Sequence, residues 1–303
     1  MSRRAVRVGR IDVLEHDGLF FDVRDSGPRD GDVVVLLHGF PQDSRCWDSV
    51  TQHLHRAGLR TLAPDQRGYS LKGSPSEVSA YRIEVLASDV LRLLDEAGLE
   101  RAHIVGHDWG GALAWHLGAH HAARVATLTV LSTPHPRAFA WSLLRSMQGL
   151  RSWYAVAVQI PVLPELVLGA TLAPALRLSG LPKETAQRYR ARMATPSALR
   201  GPLNWYRASA RHPLVALPLL AGGDGEDIIH VPTTYSPHRD TLDPGNLTGG
   251  GPDRRPRRSR RPGRARRCAP PRSAGVPGRS GTCGRRSPSV PAAARPRRTR
   301  HRR

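Results

Sequence analysis

The chain has 303 residues, with 46 lysines and arginines against 25 aspartates and glutamates, a formal charge of +21. Residues 249–303 hold nineteen arginines and one acid, Asp253, so they carry +18 and residues 1–248 only +3; the overall charge is no argument that the body binds nucleic acid. Three irregularly spaced cysteines, Cys46, Cys268 and Cys283, exclude a disulfide framework and a cysteine metal set.

The first eight residues lack the apolar stretch of a secretory signal, so the expected compartment is the cytoplasm. Val33–Leu37 is a continuous apolar run that reads as a buried strand and leads into His38-Gly39-Phe40-Pro41. Residues 47–57 have helical spacing, with Gly58 as a stop. Arg60–Pro64 reads as a short strand, and 81–97 as a long amphipathic helix ended by Gly98. Residues 102–105 read as a strand running into Gly106-His107-Asp108-Trp109-Gly110-Gly111, where the next helix starts. Val125–Leu131 is a further strand. Apolar strands separated by helices predict an α/β domain with a mostly parallel sheet covered on both faces.

From 137 to 213 the pattern is helical, with no strand candidate, and is read as an inserted lid. Its most apolar part, 155–176, is interrupted by Gln159, Pro161, Pro164, Glu165 and Pro174, which excludes a membrane span and predicts helices with proline boundaries. A strand signal returns once, at 228–235, within a segment 214–246 assigned to the core. Residues 247–303 show no periodicity, hold no Ile, Met, Phe, Tyr or Trp and no Leu after Leu247, and are predicted to be disordered.

The sharpest chemical signal is Gly106-His107-Asp108-Trp109-Gly110, a glycine–x–nucleophile–x–glycine elbow between a strand and a helix. Aspartate stands where such elbows often carry serine. A carboxylate can open a strained carbon centre and leave an alkyl ester. The same aspartate would also suit a helix N-cap. The strand before it and the paired glycines after it favour the nucleophile. His38-Gly39-Phe40-Pro41 ends the preceding strand, where a second oxyanion donor is expected. The Phe40 and Trp109 N–H groups would then face the anion formed when the ester is hydrolysed.

With Pro202-Leu203-Asn204-Trp205-Tyr206-Arg207 and Asp65-Gln66-Arg67-Gly68-Tyr69-Ser70 added, residues 10–240 resemble the epoxide hydrolase branch of the α/β-hydrolase family. The resemblance implies an α/β-hydrolase core over residues 1–136. It gives Tyr206 the task of hydrogen-bonding and protonating the epoxide oxygen, with Tyr154 as its partner phenol. The implied substrates are a small apolar epoxide and water, with no cofactor, no metal and no membrane partner. A haloalkane dehalogenase shares the aspartate and the oxyanion donors but needs a halide-holding pair in place of the tyrosines.

The resemblance also requires an orienting acid and a water-activating histidine near the C-terminus. Asp240 matches the acid, one residue short of the usual spacing. No histidine segment follows: after His238 only His301 remains, among arginines. The change of composition after about Thr241 reads as a shifted frame in a G/C-rich gene. The competing account is a natural basic tail that grips phosphates without sequence preference on an inactive hydrolase remnant. That tail has no aromatic residue on which to stack bases.

Overall fold

The computed structural model describes residues 9–136, 138, 157–211 and 229–237, all within one compact unit. Its centre is a seven-stranded sheet ordered β1-β2-β4-β3-β5-β6-β7. The strands are β1 (Val13–His16), β2 (Leu19–Ser26), β3 (Val33–Leu37), β4 (Arg60–Pro64), β5 (Ala102–His107), β6 (Val125–Leu131) and β7 (Thr233–Ser236). Strand β2 is antiparallel to both of its neighbours, and every later pairing is parallel.

The β1–β2 hairpin is an element that the apolar-run reading did not provide. Its signal is Asp17-Gly18, whose positive φ angles of 52° and 72° suit the tight turn joining two antiparallel strands. In β2 the buried residues are Phe21 and Val23, a period of two that is easy to miss beside the solid apolar run of β3.

Alternate residues of β3 serve opposite faces. Val34 and Leu36 pack with Trp47 and Ala63 on one side. Val33, Val35 and Leu37 join the larger core of Leu62, Leu93, Ile104, Leu113 and Leu128 on the other. Helix α1 (Asp48–Arg56) covers the first face, while α2 (Ile83–Glu96) and α3 (Trp109–His120) cover the second. The helices expected over 47–57 and 81–97 are each divided at the start. A 3₁₀ turn, Ser44–Trp47, precedes α1, and a second, Val78–Tyr81, is cut off from α2 by the extended backbone of Arg82.

Residues 157–211 form three helices, α4 (Leu163–Leu178), α5 (Lys183–Arg192) and α6 (Pro196–Arg211), with no strand among the described residues. Pro164 sits in the first turn of α4, as a boundary should. Pro174 lies inside α4 instead of ending it, so the helix forgoes one N–H bond and continues. Leu172 of α4, with Val158 and Met193, packs on Leu199 and Leu203 of α6 in a second apolar cluster. The returning strand, expected over 228–235, is β7, which pairs with β6 from Leu128↔Thr233 onward.

Candidate active site

Strand β3 lies between β4 and β5, the point where the strand order reverses and where open α/β sheets form a crevice. The register Leu37↔Gly106 ends β3 and β5 at nearly the same height. The segments just beyond them, His38-Gly39-Phe40 and Asp108, are therefore brought side by side by sheet pairing alone.

Asp108 has φ 52° and ψ −120°, a sparsely populated conformation for a residue with a Cβ. Close packing holds it there. A Cβ on Gly106 would lie 2.2 Å from the Gly110 carbonyl oxygen, and one on Gly39 would lie 2.4 Å from the Asp108 Cβ. Thr133, just past β6, donates from Oγ1 to the Asp108 carbonyl at 2.8 Å, and the Trp115 indole N–H fixes the Thr133 carbonyl at 3.0 Å. Although Asp108 begins α3, its side chain makes no capping hydrogen bond. Its Oδ1 instead accepts the Phe40 N–H at 2.9 Å, and the nearby Trp109 N–H favours the ionised carboxylate. Burial raises the carboxyl above its ordinary range, and these two N–H groups pull it partway back. Of the two N–H groups expected as oxyanion donors, that of Phe40 hydrogen-bonds this carboxylate.

The loop after β3 is held by side chains that motif matching had left without a task. The buried His38 donates from Nδ1 to the Gly39 carbonyl at 3.1 Å and accepts the Gln66 N–H at Nε2, also at 3.1 Å. With both ring nitrogens engaged, and burial holding its pKa down against the pull of Asp65, His38 is a neutral strut. His107 donates to Gln42 Oε1 at 3.1 Å, and that oxygen also receives the Gly39 N–H at 3.4 Å. Burial, together with His38, pushes His107 down to about 4, so it too is uncharged at neutral pH.

Helix α6 presents Tyr206 to the same place. Its motif neighbours anchor it: Trp205 donates its indole N–H to the Arg67 carbonyl at 2.9 Å, and Asn204 donates to the Ser76 carbonyl at 3.2 Å. Arg207 pairs with the buried Glu165 of α4 at 2.8 Å and donates to the Val158 carbonyl at 2.9 Å. The Tyr206 ring meets Trp109 edge-on at 4.8 Å and Phe40 at 5.9 Å, so it touches both residues whose N–H groups act on Asp108. In Asn204-Trp205-Tyr206-Arg207, three residues fasten the helix and the fourth lays its ring against Trp109 and Phe40.

Asp65-Gln66-Arg67-Gly68-Tyr69-Ser70 is a hub between these parts. Asp65 accepts the Ser44 N–H at 2.8 Å, Arg67 pairs with Asp89 of α2 at 2.6 Å, and Ser70 Oγ accepts the Asp22 N–H at 2.9 Å. Arg192 of α5 reaches Asp65 at 2.7 Å and Asp43 at 3.2 Å, tying the helical segment to both strand-end loops. Asp65 opens a matched motif and Gln42 follows directly on another, whereas Thr133 and Arg192 carry no motif signature.

Tyr154 and Asp240 lie outside the described residues, as do His238, His301 and the whole of 247–303. Among the described residues no group of three or more His, Cys, Asp or Glu is placed to hold a metal, and no helix is long and apolar enough to cross a membrane.

The chain is similar to known proteins. Residues 32–190 match the family model described as the alpha/beta hydrolase fold. An AB hydrolase superfamily protein, YfhM, of Bacillus subtilis is 37% identical over 211 residues, which is 67% of this chain and 74% of that protein. Epoxide hydrolase A of Mycobacterium tuberculosis is 36% identical over 189 residues, 61% of this chain but only 59% of the relative's own length. A solved epoxide hydrolase from metagenomes of hot environments superposes with a TM-score of 0.63 at 30% identity, covering 76% of this chain and 82% of that one. The chain belongs to the α/β-hydrolase fold family, within its epoxide hydrolase branch.

Proposed function

We propose that the chain opens epoxides through a covalent aspartyl ester, with Asp108 as nucleophile. The observation that carries this is the Asp108 carboxylate on its elbow, gripped by the Phe40 N–H, with the Tyr206 ring packed on Trp109 and Phe40 beside it. An Asp108 oxygen attacks one epoxide carbon, and the C–O bond to that carbon breaks. The departing oxygen takes the Tyr206 proton, with Tyr154 as the proposed second phenol. Helices α4–α6 act as the lid over this step, within a lid segment spanning 137–213. The relatives named above support this substrate class, since the mycobacterial protein is an epoxide hydrolase by name.

Ester hydrolysis is the second half of the reaction. Water adds to the Asp108 carbonyl, the Phe40 and Trp109 N–H groups hold the resulting anion, and the diol leaves. A base must take the proton from that water. His38 has both nitrogens bonded, and His107 is turned into a weak base by burial. Asp240 is the proposed orienting acid, but between 239 and 300 the sequence holds no histidine for it to orient. General-base help is typically worth roughly 10²–10⁴ in rate, so this chain is proposed to stall as the alkyl ester.

The test is incubation with an aryl oxirane followed by intact-mass and peptide mapping. One substrate mass should appear on the peptide containing Asp108, with little diol released. Asp108→Asn should abolish the adduct, and Tyr206→Phe should slow it. Sustained diol turnover would overturn the stalled second step. A folded chain that forms no adduct would overturn the epoxide reading itself.

A further inference from the structure

Tyr69 has so far served only as a member of the Asp65–Ser70 hub, but its side chain stands at the junction of the two apolar clusters. Its ring lies edge-on to His38 at 4.5 Å and to Trp205 at 6.5 Å. It shares the second cluster with Phe40 and Tyr206. The backbone is fixed as well: the Tyr69 N–H bonds the Gln66 carbonyl at 2.9 Å, and its own carbonyl accepts Arg192 of α5 at 3.0 Å. The hydroxyl is the anomaly. It is buried and has no hydrogen-bond partner among the described residues. An orphaned buried hydroxyl is destabilising, and such groups are rare enough that each demands a reason.

The geometry points to Tyr69 as a further phenol of the active site, its O–H donating a hydrogen bond to the oxygen of a substrate held between Asp108 and Tyr206. This rests on the epoxide reading above. Burial drives the Tyr69 phenol well above its ordinary value, and the nearby charges of Tyr206 and Asp108 push it the same way. The group therefore stays protonated at neutral pH and feels both residues of the proposed first step. Tyr69 would transfer no proton. The Asp108 oxygen forms the new bond to carbon, the ring C–O bond breaks, Tyr206 supplies the proton, and Tyr69 stabilises the negative charge as it develops. A donor already desolvated and aimed at that charge needs no reorganisation at the moment of reaction. Water or substrate would then complete the hydroxyl that has no partner among the described residues.

Tyr69→Phe removes one hydroxyl and leaves the ring contacts in place. Single-turnover alkylation of the full chain by excess styrene oxide, followed by intact mass, should slow by roughly 10- to 100-fold, the scale of a hydrogen bond to a charged group. The limiting rate should fall while the half-saturating epoxide concentration stays nearly constant, since the bond strengthens only as charge develops. The thermal midpoint should hold or rise, because an orphaned polar group is gone. An unchanged limiting rate in Tyr69→Phe, beside normal adduct formation by the parent chain, overturns the Tyr69 role and leaves the epoxide reading standing. A slower rate accompanied by a lower midpoint means that the hydroxyl supports the fold, which also overturns it. Absence of any adduct on the folded parent chain removes both proposals together.

Discussion

Strands β3 and β7 belong to one sheet but hold their loops very differently. Every residue of β3 is buried, its two faces pack under different helices, and β4 and β5 flank it in parallel. In β7, Thr233, Thr234 and Tyr235 are exposed, and its one described strand partner is β6. The machinery proposed for the first half-reaction leaves the sheet from β3 and β5, where register and close packing locate it on all sides. The orienting acid proposed for the second half-reaction follows β7, which contributes little to the core. A loop launched from the centre of a parallel sheet inherits the rigidity of two neighbours, whereas one launched from an end inherits that of one.

Three tests would break or sharpen this contrast. The largest effect is expected from Gly39→Ala. Its methyl would sit 2.4 Å from the Asp108 Cβ, so either the Phe40 loop or the carboxylate must move. Misplacement by about 1 Å can cost about 10²-fold in rate, and adduct formation by intact mass should fall at least that far. An unaffected rate would show that the central loop is softer than its packing implies.

A smaller effect, now on stability, should separate the two strands directly. Leu36 has no exposed surface, and Leu36→Ala is expected to cost about 2–5 kcal/mol in urea unfolding. Tyr235 is 42% exposed, and Tyr235→Ala should cost under about 1 kcal/mol. Equal losses would mean that β7 is as much a part of the core as β3.

The smallest effects concern pH. The raised Asp108 carboxyl holds its proton more tightly in the folded chain than in the unfolded one. Its contribution therefore favours folding at low pH and is lost as pH rises through the folded value. Asp108→Asn should leave the midpoint at neutral pH equal or slightly higher, while the parent's alkylation rate falls as pH drops through that raised value. Asp25 runs the opposite way. Burial raises it, but hydrogen bonds from Arg60, Arg10 and the Ile11 N–H outweigh that and hold it below its ordinary range. Its stabilisation is present above the unfolded value and fades as pH falls through the folded one. Thermal midpoints across the acid range, compared between the parent, Asp108→Asn and Asp25→Asn, test both signs.

The sequence by itself determined the parts whose signal is local. Val33–Leu37 announces a strand buried on both faces because no polar residue interrupts it, and the Gly106–Gly110 spacing announces a turn too tight for side chains. Local pattern also misled. Pro174 looked like a helix end, yet one missing N–H does not stop a helix whose apolar residues are packed against α6. The paired β1–β2 strands were missed because their period of two is faint beside the run that follows. The N-cap alternative for Asp108 could not be set aside from sequence, since an aspartate before a helix satisfies both readings. In the folded chain the side chain makes no capping hydrogen bond, and the Phe40 N–H, sixty-eight residues away in the chain, meets the carboxylate at 2.9 Å; the nucleophile role is the one proposed above. Contacts of the same kind place Thr133 behind the elbow, Gln42 beneath the loop and Arg192 across Asp65 and Asp43. Each of these relations joins segments far apart in sequence. They exist because strand register and helix packing bring the segments together, and a hydrogen bond across that distance leaves no periodicity along the chain.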